Sequence, residues 1–367
     1  MGARVAAGAA LLLAWAAAAP LVRADEGVEQ AFTLQHFRLE NGVELSEAHI
    51  NYATFGTRNR DGTNVIVLPS HYMADFNGYR PIIGKDKALD PEKYFLVATE
   101  LFGNGHSSSP SNTPEPFHGP RFPLTSIRDN VEAIRRLLVE KLGVHHLRAA
   151  IGFSMGGEQV LQLAVSHPDF VDGIVATGAT AKAYPVQYMM LESALTALRT
   201  DPAFNNGDYD QEPEKGLYAL RAVMVPWIHS QEYWRQELWR SEGNTSQSFQ
   251  DAYKQARSNL LSKADANDII LQMHTWQEHD IGTTAGFHGD VSLALRSIKV
   301  PVLYMPSSSD LYFTEASVRG EVPFIARVEF RPIPSLLGHP GALAGRGPES
   351  AFLTKSIHKF LDSLPSK

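Results

Sequence analysis

The chain has 367 residues, of which 44% are hydrophobic and 20% are charged. These proportions are ordinary for a soluble globular protein and exclude an intrinsically disordered one. A formal net charge of −7 gives no electrostatic indication of nucleic-acid binding, so we expect no nucleic-acid partner. The absence of cysteine excludes a cysteine nucleophile and any metal site built on thiolates.

The N-terminal residues 1–24 have the pattern of a secretory signal peptide. Arg4 precedes an unbroken run of small or apolar residues at 5–19, and small residues recur up to Ala24. The run is too short for a membrane-spanning helix, which needs about 20 residues. We therefore expect cleavage after Ala24 and a secreted or periplasmic protein with no membrane span after processing. An uncleaved membrane anchor is the alternative. In a eukaryotic source, export would also make Asn244 a glycosylation acceptor.

Strand-like and helix-like segments alternate through the first half of the remaining chain. Short apolar, β-branched runs predict strands, whereas apolar residues spaced three or four apart predict helices. The predicted elements are strands at 64–68, 94–99, 147–153 and 173–177, and helices at 125–142 and 159–166. Thr125 or Ser126 is placed to cap the first of these helices. The alternation predicts an α/β fold with a mostly parallel central sheet and helices on both faces.

Residues 181–282 differ from the rest of the chain because helix-like segments dominate there. This stretch holds four of the five tryptophans, at positions 227, 234, 239 and 276. Strands are predicted again at 300–305 and 327–333, and a last helix at 350–361. We therefore expect residues 25–367 to form a single α/β domain with a helical cap inserted at about 181–282.

The sequence GFSMG at 152–156 matches the pattern G-x-S-x-G, which is typical of a nucleophile elbow. In such an elbow a sharp turn between a strand and a helix exposes the serine next to the free N–H groups of the helix N-terminus. The strand predicted before the motif and the helix predicted after it supply that context. Ser154 is therefore the candidate nucleophile. An ordinary serine in a glycine-rich turn is the alternative.

A serine nucleophile needs a histidine base and an acid to orient it, and in this type of fold both follow the serine in the chain. Asp310 follows the strand at 300–305, and His339 follows the strand at 327–333. Asp280 and Asp290 compete with Asp310 for the acidic position. A surface histidine in a loop is the alternative for His339.

Two backbone N–H groups are expected to form the oxyanion hole, namely that of Met155 and that of a residue in the loop after the first central strand. In that loop Tyr72 is the candidate donor, and we expect its neighbour His71 to pack near the site rather than to react. His274, Glu278 and His279 miss the spacings of helical zinc sites. We therefore expect neither a metal nor a cofactor.

With these residues identified, the chain resembles the homoserine O-acetyltransferase-like branch of the α/β-hydrolase superfamily. The likeness runs from about residue 50 to about residue 361. It is carried by INYATFGTRNRDGTNVIVLPSHY, FPLTSIRDNVEAIRRLL, GFSMGGEQ, TDPAFNNGDY, DANDIILQMHTWQEHDIG, SSSDLYF and LLGHPGAL. The resemblance implies an α/β-hydrolase fold with Ser154, Asp310 and His339 at the triad positions. It also implies Tyr72 and Met155 at the oxyanion positions and a homodimer through the cap.

Two departures from the acetyltransferase pattern affect the expected activity. Pro340 follows the histidine where those enzymes usually have an acidic residue suited to a substrate ammonium, and Ser70-His71-Tyr72-Met73 replaces their His-Ala-Leu-Thr loop. Export also separates the protein from acetyl-CoA. We therefore expect a secreted serine hydrolase that cleaves small-molecule carboxylic esters through an acyl-serine intermediate. An O-acyltransferase of the homoserine O-acetyltransferase type is the first alternative, and a non-catalytic binding protein is the second.

Overall fold

A single mixed sheet forms the centre of the computed structural model, which describes residues 26–241 and 245–365. Its strands lie in the order β1-β2-β4-β3-β5-β6-β7-β8. Their bounds are β1 Val28–Arg38, β2 Glu44–Phe55, β3 Val65–Pro69, β4 Phe95–Thr99, β5 Ala149–Phe153, β6 Ile174–Thr177, β7 Val302–Met305 and β8 Val328–Phe330. Neighbours from β4 to β8 pair in parallel, whereas β2 pairs antiparallel with both β1 and β4. The predicted mostly parallel sheet is confirmed.

The hairpin of β1 and β2 was not among the predicted elements. Both strands lie at one edge of the sheet, and many of their side chains are exposed. Because an antiparallel hairpin can leave one face exposed to solvent, its strands carry fewer apolar residues and give a weaker signal. The central strands are different, because all five residues of β3 and of β5 are buried.

Helices cover both faces of the sheet, as the alternation predicted. Alternate residues of β3 contribute to two separate apolar cores, with Val65 and Val67 in one core and Ile66 and Leu68 in the other. The α-helices are α1 Ile127–Arg136, α2 Met155–Ser166, α3 Pro185–Arg199, α4 Glu214–Ile228, α5 Gln231–Arg235, α6 Phe249–Asn259, α7 Ala266–Gln277, α8 Val291–Ser297, α9 Glu315–Glu321 and α10 Gly347–Ser363. Short 3₁₀ helices span Phe76–Ile82, Gly119–Arg121, Pro202–Gly207, Leu238–Arg240, Ile281–Thr283, Val322–Phe324 and His339–Leu343.

All three helices predicted with bounds differ in extent, and the last, α10, is only two to three residues longer at each end than predicted. Ser126 caps α1 and forms a reciprocal capping box with Asp129, but the α-helix ends at Arg136 and continues as a π-turn over Leu137–Lys141. Helix α2 begins at Met155, four residues before the predicted start. Gly156 and Gly157 lie in its first turn, and the low helix propensity of glycine hid that turn in the sequence.

The segment between β6 and β7 leaves the sheet and returns to it through a narrow stem. At the stem the Ala183 amide donates to the carbonyl of His279 (2.8 Å), and the Ile281 amide donates to the carbonyl of Ala181 (3.0 Å). Lys182 and Asp280 form an antiparallel bridge between these bonds. Helices α3 to α7 lie beyond the stem, and we call residues 181–282 the cap.

The predicted signal peptide, residues 1–24, and Asn244 lie outside the described residues. Within 26–241 and 245–365, no helix combines the length and the apolar character needed to cross a membrane.

Candidate active site

Ser154 lies in a strained turn between the end of β5 and the start of α2. Its backbone has φ 56° and ψ −129°, a conformation that residues with a side chain rarely adopt. Its amide donates to the carbonyl of Thr177 at the end of β6 (3.0 Å). A Cβ atom at Gly152 would lie 1.9 Å from the carbonyl oxygen of Gly156, and one at Gly156 would lie 2.2 Å from that of Pro69. Only glycine fits at both positions, which explains the spacing of the motif around the serine.

Tyr79 ties the elbow to the neighbouring strand. Its hydroxyl donates to the carbonyl of Pro69 at the end of β3 (2.5 Å) and accepts from the amide of Phe153 at the end of β5 (3.0 Å). The side chain is 1% exposed. This buried hydroxyl therefore satisfies two backbone groups at the point where both strands deliver residues to the site.

His339 lies after β8, and its Nε2 is 2.9 Å from Oγ of Ser154. The residue before it, Gly338, has φ 78° and donates its amide to Oγ of Ser309 (3.0 Å). The imidazole is packed between aromatic rings, with centroids 4.6 Å from that of Phe153 and 5.4 Å from that of Phe313. The ring has little freedom to turn away from the serine.

Asp310 lies after β7 and orients the histidine. Its Oδ2 is 2.7 Å from Nδ1 of His339, and its Oδ1 accepts from the amides of Tyr312 (2.8 Å) and Phe313 (3.1 Å). Because an ionised carboxylate can only accept hydrogen bonds, Nδ1 carries the proton and Nε2 is left as an acceptor for the serine hydroxyl. The structure thus brings Ser154, His339 and Asp310 into one hydrogen-bonded chain.

The two competing aspartates lie in other local structures. Oδ1 of Asp280 accepts from the amide of Gly282 (2.7 Å), and Asp290 caps α8 by accepting from the amides of Ser292 (2.8 Å) and Leu293 (3.2 Å). Each stabilises the start of a short helix. The geometry therefore favours Asp310 over both.

The amides of Tyr72 and Met155 are the predicted oxyanion donors. In the described part of the chain neither N–H has a hydrogen-bond partner. Met155 is the first residue of α2, where an N–H has no acceptor within the helix. Tyr72 lies in a turn closed by a hydrogen bond from the Ala74 amide to the His71 carbonyl (3.0 Å). Both donors are available, and their role remains a prediction.

His71 packs beside the site, as expected. Its ring centroid is 5.0 Å from that of Phe153, and its Nδ1 is shielded from solvent without a hydrogen-bond partner among the described residues. Removal of water from this ring, with a smaller contribution from nearby His339, lowers the pKa of His71 to about 4. His71 is therefore neutral at physiological pH and adds no charge to the site.

A cavity of about 370 Å³ opens over the serine and the histidine. The sheet domain contributes part of its wall, and the cap contributes Met224 and Ile228 of α4, Leu260, and Trp276 of α7. The remaining lining residues are His71, Tyr72, Phe153, Ser154, Tyr312, His339, Pro340 and Leu343. The lining contains no Asp, Glu, Lys or Arg. Larger hollows of about 500 to 730 Å³ open elsewhere, but neither Ser154 nor His339 lines them.

Two carboxyl groups are buried behind the nucleophile. Glu158 of α2 is fully buried, and in the described part of the chain neither of its side-chain oxygens has a hydrogen-bond partner. Burial, and to a lesser extent the nearby Glu321, raises the pKa of Glu158 well above its ordinary value. Glu321 accepts from the Ala181 amide and from the hydroxyls of Tyr184 and Tyr304. Burial raises the pKa of Glu321 to about 7.

The histidines considered for a zinc site make other contacts. Nε2 of His274 lies 3.2 Å from the Arg199 guanidinium. Burial, with a smaller contribution from Arg128, lowers the pKa of His279 to about 3. Within 26–241 and 245–365, no cluster of three or more His, Asp or Glu side chains could hold a metal ion.

The aromatic and methionine content of residues 181–282 suggested an apolar pocket over the serine, with packing among the cap helices as the alternative, but the sequence did not identify which cap residues line the cavity. Met224, Ile228 and Leu260 are ordinary apolar residues of helical segments, and no local pattern separates a cavity-lining position from a core position. Sequence reasoning also missed Gln272 of α7, which hydrogen-bonds across the cap boundary to Met73 and Phe102.

Comparison with known proteins places these observations in a family context. A family profile described as the alpha/beta hydrolase fold matches residues 67–321. The chain is 34% identical to an ethyl acetate hydrolase of Pseudomonas veronii, over 83% of this chain and 86% of that protein. It is 29% identical to a homoserine O-acetyltransferase of Methanosalsum zhilinae, over 85% of this chain and 69% of that protein.

A solved structure is also similar over nearly the whole chain. The crystal structure of an acetylester hydrolase from Corynebacterium glutamicum superposes with a TM-score of 0.87 at 30% identity. The superposition covers 92% of this chain and 96% of that one.

Proposed function

Because the chain belongs to the alpha/beta hydrolase fold family, we propose that it is a serine esterase that hydrolyses small carboxylic esters through an acyl-serine intermediate. One observation carries the proposal. The hydrogen-bonded chain of Ser154, His339 and Asp310 opens into a cavity lined mostly by aliphatic and aromatic side chains and by no Asp, Glu, Lys or Arg. Such a cavity suits the uncharged acyl group of an ester and contains the nucleophile at its floor.

In the first half of the reaction the ester acylates the enzyme. Oγ of Ser154 attacks the carbonyl carbon while Nε2 of His339 takes the hydroxyl proton. The carbonyl oxygen becomes an oxyanion, which the amides of Tyr72 and Met155 stabilise, each contributing about 3 to 4 kcal/mol. The tetrahedral intermediate then collapses. The bond to the alcohol oxygen breaks, His339 returns the proton to that oxygen, and the alcohol leaves.

In the second half water removes the acyl group. His339 takes a proton from water, whose oxygen attacks the acyl carbon to form a second tetrahedral intermediate. This intermediate collapses as the bond to Oγ breaks, and His339 returns the proton to Oγ, which releases the carboxylic acid and restores the free enzyme. The carboxylate of Asp310 stabilises the imidazolium that forms in each half. The His339–Asp310 contact is buried, with Asp310 4% exposed, so water screens this charge interaction little.

Hydrolysis is favoured over transfer to an amino-acid acceptor by the character of the cavity. An acceptor such as homoserine carries an ammonium and a carboxylate, and its binding requires opposite charges. Pro340 lies in the cavity wall beside His339, and the wall holds no acidic or permanently cationic side chain. Two similar proteins are an ethyl acetate hydrolase and an acetylester hydrolase, and this likeness supports a substrate with a small acyl group. Acyl transfer is the second candidate, supported by the likeness to homoserine O-acetyltransferases.

Mass spectrometry of the enzyme during turnover tests the proposal. We expect p-nitrophenyl acetate to place an acetyl group on Ser154 and buffer alone to release it, with no acetylhomoserine formed when homoserine is added. Ser154→Ala should abolish turnover without changing the thermal midpoint. Ser356→Ala, which alters another buried serine on α10, should retain activity. A long-lived acyl-enzyme that only homoserine discharges would instead identify an acyltransferase. Activity retained in folded Ser154→Ala would overturn both enzyme proposals.

We also propose that the protein is exported and that the signal peptide is removed after Ala24. The basic start and the short apolar run support this proposal. N-terminal sequencing of the protein recovered from the producing cells tests it. Membrane-bound material that still begins at Met1 would contradict it.

We further propose a homodimer that forms through the cap. Its helices α3 and α4 expose large apolar side chains, including Val186, Tyr188, Met189 and Tyr218, of which Met189 is 58% exposed. The two helices pack against each other, and exposed apolar side chains grouped on one surface are typical of a region that pairs with another protein. Light scattering at micromolar concentration should give twice the chain mass, and Met189→Glu should give the monomer. A wild-type monomer would contradict the proposal.

A further inference from the structure

The loop that carries the proposed oxyanion donor Tyr72 has a backbone that its own sequence does not favour. Met73 has φ 52°, in the left-handed region that favours glycine. Such a conformation persists when surrounding groups hold it. The first residue of the loop, Ser70, is held by the sheet domain, because its amide donates to the Thr99 carbonyl (3.0 Å) and its carbonyl accepts from Nε2 of Gln159 (2.9 Å).

The cap holds the other side of this loop through Gln272. Oε1 of Gln272 accepts from the amide of Met73 (2.6 Å), and Nε2 donates to the carbonyl of Phe102 (3.0 Å). The side chain is fully buried. Its amide therefore bridges the loop after β3 and the loop after β4, and both of its ends have a defined partner.

The helix that carries Gln272 is firmly seated on these two loops. Asp268, Gln272 and Trp276 recur every four residues along α7 and thus share one face. Asp268 accepts from both the amide (3.0 Å) and the hydroxyl (2.6 Å) of Ser111. The Trp276 ring centroid lies 6.1 Å from that of Tyr72. Three contacts on one helix face therefore fix the distance between Gln272 and the loop.

We propose that Gln272 is a positioning residue that holds the Tyr72 amide in the direction needed to bind the oxyanion. This inference rests on the proposed esterase function. The Met73 amide belongs to the peptide group that follows Tyr72, so fixing that group limits rotation of the backbone at Tyr72 itself. Gln272 does not line the cavity and contacts no substrate. Its loss should affect the transition state, where the oxyanion exists, more than substrate binding.

The experiment compares Gln272→Met with Gln162→Met. Methionine has a similar length and makes neither hydrogen bond. Gln162 is a matched control because it is also fully buried, and its Nε2 donates to the hydroxyls of Ser166 and Thr284, away from the Tyr72 loop. We expect Gln272→Met to lower kcat by about 30-fold while KM changes less than about threefold. Its affinity for a trifluoromethyl ketone, which forms an oxyanion on Ser154, should fall by a similar factor. Gln162→Met should keep kcat within about threefold.

Gln272→Glu, assayed at a pH at which the introduced carboxyl is ionised, separates the two hydrogen bonds, since a carboxylate still accepts from the Met73 amide but cannot donate to Phe102. We expect this variant to retain more kcat than Gln272→Met, even with a lower thermal midpoint. If Gln272→Met does not fold, the kcat and ketone affinity of Gln272→Glu decide the outcome. Near-wild-type values support the Met73 contact, and values as low as those expected for Gln272→Met overturn it.

The failures of the two proposals are distinguishable. A folded Gln272→Met with wild-type kcat, or with only a raised KM, would overturn the positioning role while an inactive Ser154→Ala kept the esterase proposal intact. Activity in Ser154→Ala would overturn the esterase proposal itself.

Discussion

The substitution Asp310→Asn tests whether Asp310 orients the proposed base His339, and it hardly changes the shape of the side chain. In the wild type, Oδ1 of Asp310 accepts from the amides of Tyr312 and Phe313, while Oδ2 faces Nδ1 of His339. The asparagine oxygen should keep the two backbone contacts, because only an oxygen can accept from them. The asparagine NH₂ group must then face Nδ1 of His339.

An NH₂ group in that position reverses the protonation of the ring. Nδ1 becomes an acceptor, so the neutral imidazole carries its proton on Nε2, 2.9 Å from Oγ of Ser154. A protonated Nε2 cannot take the serine proton. We expect kcat for p-nitrophenyl acetate to fall by about 10⁴-fold, equivalent to about 5 kcal/mol of transition-state stabilisation. KM should change little, since Asp310 does not line the cavity.

Steady-state kinetics and thermal unfolding of matched variants provide the measurement. Asp280→Asn and Asp290→Asn make the same chemical change at helix caps, where an asparagine oxygen can still accept from the backbone. Both should retain wild-type kcat. The reasoning would be refuted if folded Asp310→Asn kept more than about a tenth of the wild-type kcat, or if either control lost activity to the same extent.

Three further outcomes follow from buried groups and the cavity wall. The folded protein holds the Glu158 proton more tightly than the unfolded chain does, because burial raises its pKa above the ordinary 4.5. Raising the pH above 4.5 therefore lowers the free energy of unfolding, by at most about 1.4 kcal/mol per pH unit for this group. Between pH 5 and pH 8, the free energy of unfolding measured in urea should fall less for Glu158→Gln than for the wild type, and at pH 8 the variant should be the more stable of the two. An equal fall in both proteins would contradict this. Tyr79→Phe should reduce the free energy of unfolding by about 1 to 3 kcal/mol, because the Phe153 amide and the Pro69 carbonyl lose a buried partner, and unchanged urea unfolding would count against it. Met224→Trp should lower kcat/KM for a p-nitrophenyl hexanoate ester about tenfold more than for the acetate, because it fills part of the cavity; equal effects would exclude Met224 from the acyl site.

The sequence was most informative where one physical constraint acts on neighbouring residues. The buried strands β3 and β5 are continuous apolar runs because both of their faces are covered. The elbow at Ser154 could be predicted because two close backbone approaches require glycine at fixed positions. Asp310 and His339 could be placed because parallel strands deliver their carboxyl ends to one edge of the sheet.

Other features depend on contacts between distant residues and leave no local pattern. The edge strand β1 carries many exposed polar side chains and lacked a clear period. Gln272 is one of several glutamines in helical segments, and only the fold brings it to Met73, which is 199 positions away in the chain. The directions of the backbone N–H groups that would bind an oxyanion likewise depend on the fold and leave no sequence pattern. The oxyanion role of Tyr72 and Met155 therefore remains a prediction.

The stem at the base of the cap has a consequence for how proteins of this kind diversify. Its two segments, at 181–183 and 279–281, are hydrogen-bonded to each other, and β6 and β7 pair directly beneath it. The inserted segment thus enters and leaves at nearly one point, and exchanging it leaves the strand order unchanged. Ser154, Asp310 and His339 all lie outside the exchanged segment, whereas Met224, Ile228, Leu260 and Trp276 lie within it. A chimera joined at the stem would therefore acquire a different wall for the proposed acyl site as one module, provided that the incoming helix supplies an equivalent of the Gln272 contacts.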